Sequence, residues 1–131
     1  MQARGADHGR GKTRAALAAS LDLPRRDTVT YLAGAGVLAQ AWGPLGIGHQ
    51  VPGSAAVTGI ARAHAVTPAQ VVLRWAVQQG IAVIPRSAHP ERQRANLQIF
   101  GFSLSDPEMA ALAGLDLGED AAVDSDARVE F

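Results

Sequence analysis

Residues 67–96, TPAQVVLRWAVQQGIAVIPRSAHPERQRAN, read as helix, strand and helix in immediate succession. The first helix is marked at its start. Thr67 is a natural N-cap, Pro68 suits the first helical position, and Gln70 stands where a capping box with Thr67 needs it. Helical spacing puts Ala69, Val72, Leu73, Ala76 and Val77 on one face, and Gly80 ends the element. IAVIP at 81–85 is apolar throughout, the pattern of a parallel strand covered on both sides. PERQRANLQIF at 90–100 reads as the second helix, with proline at its start. Strands separated by helices imply right-handed βαβ units and an α/β fold.

The remainder extends the alternation. RDTVTYLAGAG (26–36) reads as a helix closed by Gly34 or Gly36, and VLAQAW (37–42) as a strand stopped by Gly43 and Pro44. A glycine-rich loop, GPLGIGHQVPG (43–53), precedes a weak helix over 55–66 that contains Gly59. Ser105 and Glu108 form a second capping box before a helix around 106–113. ALAASLDL (16–23) is a candidate third strand, although its composition favours helix. Two or three parallel strands leave sheet edges open, so the pattern reads as part of a larger sheet.

Composition removes several function classes. The 131 residues carry 12 basic and 12 acidic side chains, so there is no electrostatic case for nucleic acid or an anionic membrane. Absence of cysteine excludes disulfides, thiolate chemistry and Cys-ligated metals. No apolar run approaches the roughly 20 residues that span a bilayer. The basic N-terminus lacks the apolar core of a secretory signal, so a cytoplasmic location is expected. Arg4, Arg10, Lys12 and Arg14 crowd the front, and Glu119, Asp120, Asp124, Asp126 and Glu130 the back. Residues 1–20 are expected to be a disordered leader, and 117–131 a disordered acidic tail. HGRGKT (8–13) lacks the glycine that a P-loop requires at position 6, which is Ala6. His8, His49, His64 and His89 show no helical pairing of the zinc-site kind.

The chemistry-bearing junction is the end of the 81–85 strand. Arg86 and Ser87 follow it directly, and Arg92 and Asn96 stand four apart, on one face of the next helix. Backbone N–H groups at a helix start, with guanidiniums beside them, suit a phosphate-bearing ligand. The competing reading is a solvated helix face. Trp42, beside the glycine loop, reads as ligand-facing, whereas Trp75 in mid-helix reads as packing.

AWGPLG (41–46), TPAQVVLRWAVQQGIAVIPRS (67–87) and PERQRANLQIFGFSLSDPEMAAL (90–112) together resemble the C-terminal part of an aldo-keto reductase, over residues 21–116. The resemblance implies the C-terminal βα units of a TIM (β/α)8 barrel, hence an α/β partial barrel. It implies NADP(H) bound in an extended conformation, and a small-molecule carbonyl reduced by hydride from the nicotinamide. By the same resemblance Trp42 stacks near the nicotinamide, Gly43 and Leu45 line the pyrophosphate, and Arg86, Ser87 and Arg92 face the 2′-phosphate. Asn96 matches an adenine contact, but the glutamate often preceding it in the family is here Ala95.

The family works with Asp, Tyr, Lys and His, in that chain order, from the first half of its barrel. Tyr31 is the only tyrosine here, and Lys12, the only lysine, precedes it. No catalytic residue is therefore assigned. A TIM barrel takes about 250 residues, so the chain is expected to be a C-terminal portion: a truncated product, a decayed copy or a misplaced start. The alternative expectation is a non-catalytic α/β fragment that associates with another chain, or with itself, through open sheet edges.

Overall fold

The computed structural model describes residues 13–18, 24–42, 44–45, 53–85 and 87–116. Their elements, in chain order, are β1 (Arg14–Ala18), α1 (Arg26–Gly34), β2 (Leu38–Trp42), α2 (Ala55–His64), α3 (Pro68–Gln78), β3 (Ala82–Ile84), α4 (Pro90–Leu97) and α5 (Asp106–Ala113). The strands form one parallel sheet in the order β1-β2-β3. In register, Arg14 of β1 faces Leu38 of β2, and Gln40 of β2 faces Ala82 of β3. The expected α/β class with parallel strands is present.

Strand β1 lies inside residues 1–20, the segment expected to be a leader, and begins two positions before the candidate strand at 16–23. Its sequence, RAALA, has no β-branched residue. Pairing along the whole of β2 supplies the strand, a case of tertiary context overriding propensity.

Local chemistry explains the helix boundaries. Ser54, Thr67 and Ser105 cap α2, α3 and α5, and the capping boxes Thr67–Gln70 and Ser105–Glu108 are both closed in each direction. Gly36 and Gly80 take positive φ of 72° and 75° where the chain leaves α1 and α3 to enter a strand. Helix α4 stops at Leu97, short of the expected Phe100, because the chain turns at Gln98 and drives Ile99 into the interior while Phe100 stays exposed.

The core lies between the sheet and α2, α3 and α5. Ala39 and Ala41 alternate inward from β2. Ala41 meets a layer containing Val57, Ile60 and Ala61 of α2, Val71, Val72, Trp75 and Ala76 of α3, and Leu112 of α5. Trp75 packs as expected. The buried side of α3 is wider than the five-residue stripe, taking in Gln70 and Val71, while Ala69 and Val77 are half-buried. Strand β3 departs from expectation. Val83 packs on the core, but Ile84 is 52% exposed. Alternation sends Gln40, Ala82 and Ile84 to the opposite face of the sheet, which no described helix covers.

Candidate phosphate-binding site at the end of beta strand 3

Strand β3 delivers the chain to Pro85 and Ser87, and α4 begins at Pro90. The turn is fixed by its own side chains. Ser87 Oγ accepts a hydrogen bond from His89 N at 3.1 Å, and Gln93 Nε2 donates to Ser87 O at 2.8 Å. Ser87 thus has its hydroxyl oxygen engaged as an acceptor and its O–H available to donate.

Helix α4 opens differently from α2, α3 and α5. Its N-cap, His89, makes no side-chain capping bond, and Pro90 has no N–H to satisfy. The first helical bond is Gln93 N to His89 O, at 3.0 Å. The amides of Glu91 and Arg92 are thus left without an intrahelical partner. Uncapped amides at the positive end of a helix attract anions.

Arg92 is exposed and carries no hydrogen bond or ion pair to another described residue. Asn96 lies one turn on, half-buried. Arg86 and Gly43 lie outside the described residues, and of Trp42 only the backbone is described, at the end of β2 opposite Ile84. Leu45 packs its side chain against the core, so backbone groups are what it can offer a ligand there. Ser87, Arg92 and the α4 N-terminus therefore share one strand-to-helix junction, and Asn96 shares the helix face. The donor set, a hydroxyl, a guanidinium, a carboxamide and two free amides, is the kind that takes a phosphate group.

Two features of this site lie beyond the local sequence pattern. Gln93 ties the turn to the helix, and Gln70 of α3, seen only as a capping-box residue, also donates to Ala95 O and Gln98 O at 3.0 and 3.2 Å. A signal existed for the second. Gln70, Arg74 and Gln78 recur every four residues on an otherwise apolar helix, and each bonds to the 95–104 segment. Among the described residues no cluster of three or more His, Asp or Glu could hold a metal, and no helix is long and apolar enough to cross a membrane. The 8–13 segment, His8 and His49 lie largely or wholly outside the described residues.

Comparison with known proteins gives a consistent picture. The family described as "Aldo/keto reductase family" matches residues 4–117, beginning well before Leu21, where the resemblance legible in the sequence starts. An aldo-keto reductase of Mycobacterium sp. (strain MCS) is 56% identical over 86 residues, which are 66% of this chain and 30% of that protein. An NAD(P)H-dependent D-xylose reductase of Aspergillus niger is 53% identical over 62 residues, 47% of this chain and 19% of that one. Among solved structures, a mutant of Gox0644 in complex with NADPH superposes with a TM-score of 0.82 at 31% identity, covering 95% of this chain and 45% of that one. The aldose reductase of Schistosoma japonicum superposes at 0.75 with 32% identity, over 81% of this chain and 34% of its own. The chain spans less than half the length of each, and its parallel sheet with flanking helices is part of their TIM barrel. The chain belongs to the aldo/keto reductase family.

Proposed function

We propose that this chain is the NADP(H)-binding portion of an aldo-keto reductase-like oxidoreductase acting on small aldehydes or ketones. Arg86, Ser87 and Arg92 would grip the 2′-phosphate, Asn96 the adenine, Gly43 and Leu45 the pyrophosphate, and Trp42 would lie by the nicotinamide. The observation that carries this reading is the junction between β3 and α4, where uncapped amides, the Ser87 hydroxyl and an unpartnered Arg92 occur together. That donor set fits a phosphomonoester, and a structural neighbour was solved with NADPH.

Nicotinamide supplies hydride when bound; a proton for the carbonyl oxygen must come from the protein. Tyr31, the one tyrosine, sits on α1 with 75% of its surface exposed, and Lys12 lies outside the described residues. The chain by itself is therefore expected to bind nucleotide without turnover. Titration calorimetry of the full chain with NADPH and NADH tests the binding. Arg92→Ala should weaken NADPH about tenfold or more, the loss of a charge-assisted hydrogen bond, and leave NADH nearly unchanged. Equal effects on the two would remove Arg92 from the role, and no NADPH binding by the unsubstituted chain would end the reading. Steady NADPH oxidation with a small aldehyde would overturn the expectation of no turnover.

A second reading, association through the sheet, has its own observation. Strands β1 and β3 each have one edge without a strand partner among the described residues, and Ile84 on β3 is exposed.

A further inference from the structure

We propose that Gln70 is a positioning residue for the phosphate clamp, holding the C-terminal end of α4 so that Arg92 and Asn96 are presented at a fixed angle to the end of β3. The proposal rests on the nucleotide-binding reading of that junction. Helix α4 has no buried residue, so the apolar burial that usually seats a helix is missing along its length. Two kinds of attachment replace it. Near its start, Gln93 bonds back to Ser87 O; beyond its end, Ile99 is buried. The Ile99 carbonyl is also held by Arg74, at 3.3 Å, but both contacts lie past the last turn and leave the helix itself free to pivot.

Gln70 removes that freedom. Its two Nε2 protons go to two different carbonyls, Ala95 O inside the last turn and Gln98 O at the C-cap, at 3.0 and 3.2 Å. Two bonds from one planar amide to two successive levels of a helix end define a direction as well as a distance. The amide is itself immobile. Its Oε1 accepts from Thr67 N at 2.9 Å, its backbone N donates to Thr67 Oγ1 at 3.2 Å, and it is only 7% exposed on a helix seated in the core. Both donors and the acceptor oxygen of the carboxamide are thereby engaged, and Gln70 is the one buried polar residue among those described. Ala95 and Asn96 are neighbours in α4, so what fixes the Ala95 carbonyl fixes the helix turn that carries Asn96 and, four residues earlier, Arg92.

Gln78 provides an internal control. It lies two turns along the same stripe, and its carboxamide bonds Leu104 N and Leu104 O at 2.8 and 3.1 Å and accepts from Arg74 Nε at 3.0 Å, with no bond to α4 itself. Gln70→Met and Gln78→Met each remove a two-pronged amide link at nearly constant volume, so both should lose some stability. Only the first should loosen α4. Hydrogen exchange of the nucleotide-free chain should show protection over residues 90–97 falling about thirtyfold in Gln70→Met, the worth of two ordinary hydrogen bonds, and much less in Gln78→Met. NADPH affinity should fall several-fold in Gln70→Met alone and NADH affinity by less, since Asn96 would serve the adenine of both nucleotides and Arg92 only the extra phosphate. If Gln70→Met does not fold, Gln70→Glu keeps the acceptor for Thr67 N, and hence the α3 cap, while turning the donors to α4 into an acceptor. It should give the same two signatures.

Equal loss of α4 protection in the two Met variants would overturn the proposal. So would loosened α4 exchange with unchanged preference for NADPH over NADH. Failure of the unsubstituted chain to bind NADPH would strike the functional reading itself, and is recognised without any substitution.

Discussion

Glu108 has partners on two elements. Its Oε1 accepts from Ser105 N at 2.9 Å, closing the α5 capping box, and its two oxygens lie 2.9 and 2.8 Å from His64 Nε2 at the last turn of α2. The imidazole is flanked by Phe102, with ring centres 5.4 Å apart. The backbone N–H of Ser105 first, and His64 second, favour the charged carboxylate and lower its pKa from the ordinary 4.5. A carboxyl depressed in the folded state contributes its stability in full above the unfolded value and loses it as pH falls through the folded one. Glu108→Gln retains an oxygen for Ser105 but loses the charge. It should unfold at lower temperature near neutrality, by roughly 1–2 kcal/mol, and the gap from the parent should close as pH drops below 4.5. Thermal melts followed by circular dichroism across acidic pH would show it; a gap constant with pH would mean that the charge is not its source. The capping box was legible because Ser105 and Glu108 are three apart, whereas His64, 44 positions away, left no trace in local sequence. The same limit applied to Gln70, whose link to Thr67 was visible and whose links to Ala95 and Gln98 were not.

At the scale of elements, one substitution should act with opposite sign at two glycines. Gly59 lies inside α2 and Gly80 just past the end of α3, and a Cβ at either would meet nothing within 4 Å. Space therefore does not decide the outcome; backbone conformation does. Gly80 has φ +75°, where an L-residue is disfavoured by about 1–2 kcal/mol. Gly59 is helical, where alanine is better than glycine by about 0.5–1 kcal/mol. Gly59→Ala should raise the denaturant midpoint and Gly80→Ala should lower it, with unchanged slope in both. Two shifts of the same sign would refute the argument. Caps and terminating glycines were readable because they are local chemistry, and with them α3 and α5. Strand β1 is legible only as the overlapping 16–23 candidate, since RAALA has no strand propensity and exists through its pairing with β2. Strand β3 was legible as a strand but not in its exposure. An all-apolar run reports that neither face is polar, and it cannot report whether a partner layer is there to cover both.

At the scale of the molecule, the sheet formed by the described residues is one layer of a two-layer sandwich, with the described helices on a single side. Ala39, Ala41 and Val83 face those helices; Gln40, Ala82 and Ile84 face away from them. In a closed barrel the second face looks inward and is filled by layers of side chains from the other strands. Three strands do not close, so the described sheet keeps two open edges as well as that face. Open parallel edges are templates for further strands, and the strand sequence offers little to prevent pairing at β3, which has no charged residue or proline among Ala82–Ile84. The second reading of function therefore makes a measurable claim. Sedimentation velocity of the full chain should show average mass rising with concentration, and Ile84→Lys should move that rise to concentrations about tenfold higher, since a charge buried at such a contact costs more than the 1.4 kcal/mol that tenfold represents. A strictly monomeric chain over the same range would remove self-association. The two readings then separate by stoichiometry. The donors proposed to bind phosphate lie at the C-terminal end of β3 and the start of α4, beyond the strand itself. Ile84→Lys should therefore disperse assemblies while NADPH titrates the dispersed chain at one site, whereas loss of binding together with assembly would show that the clamp is complete only between chains.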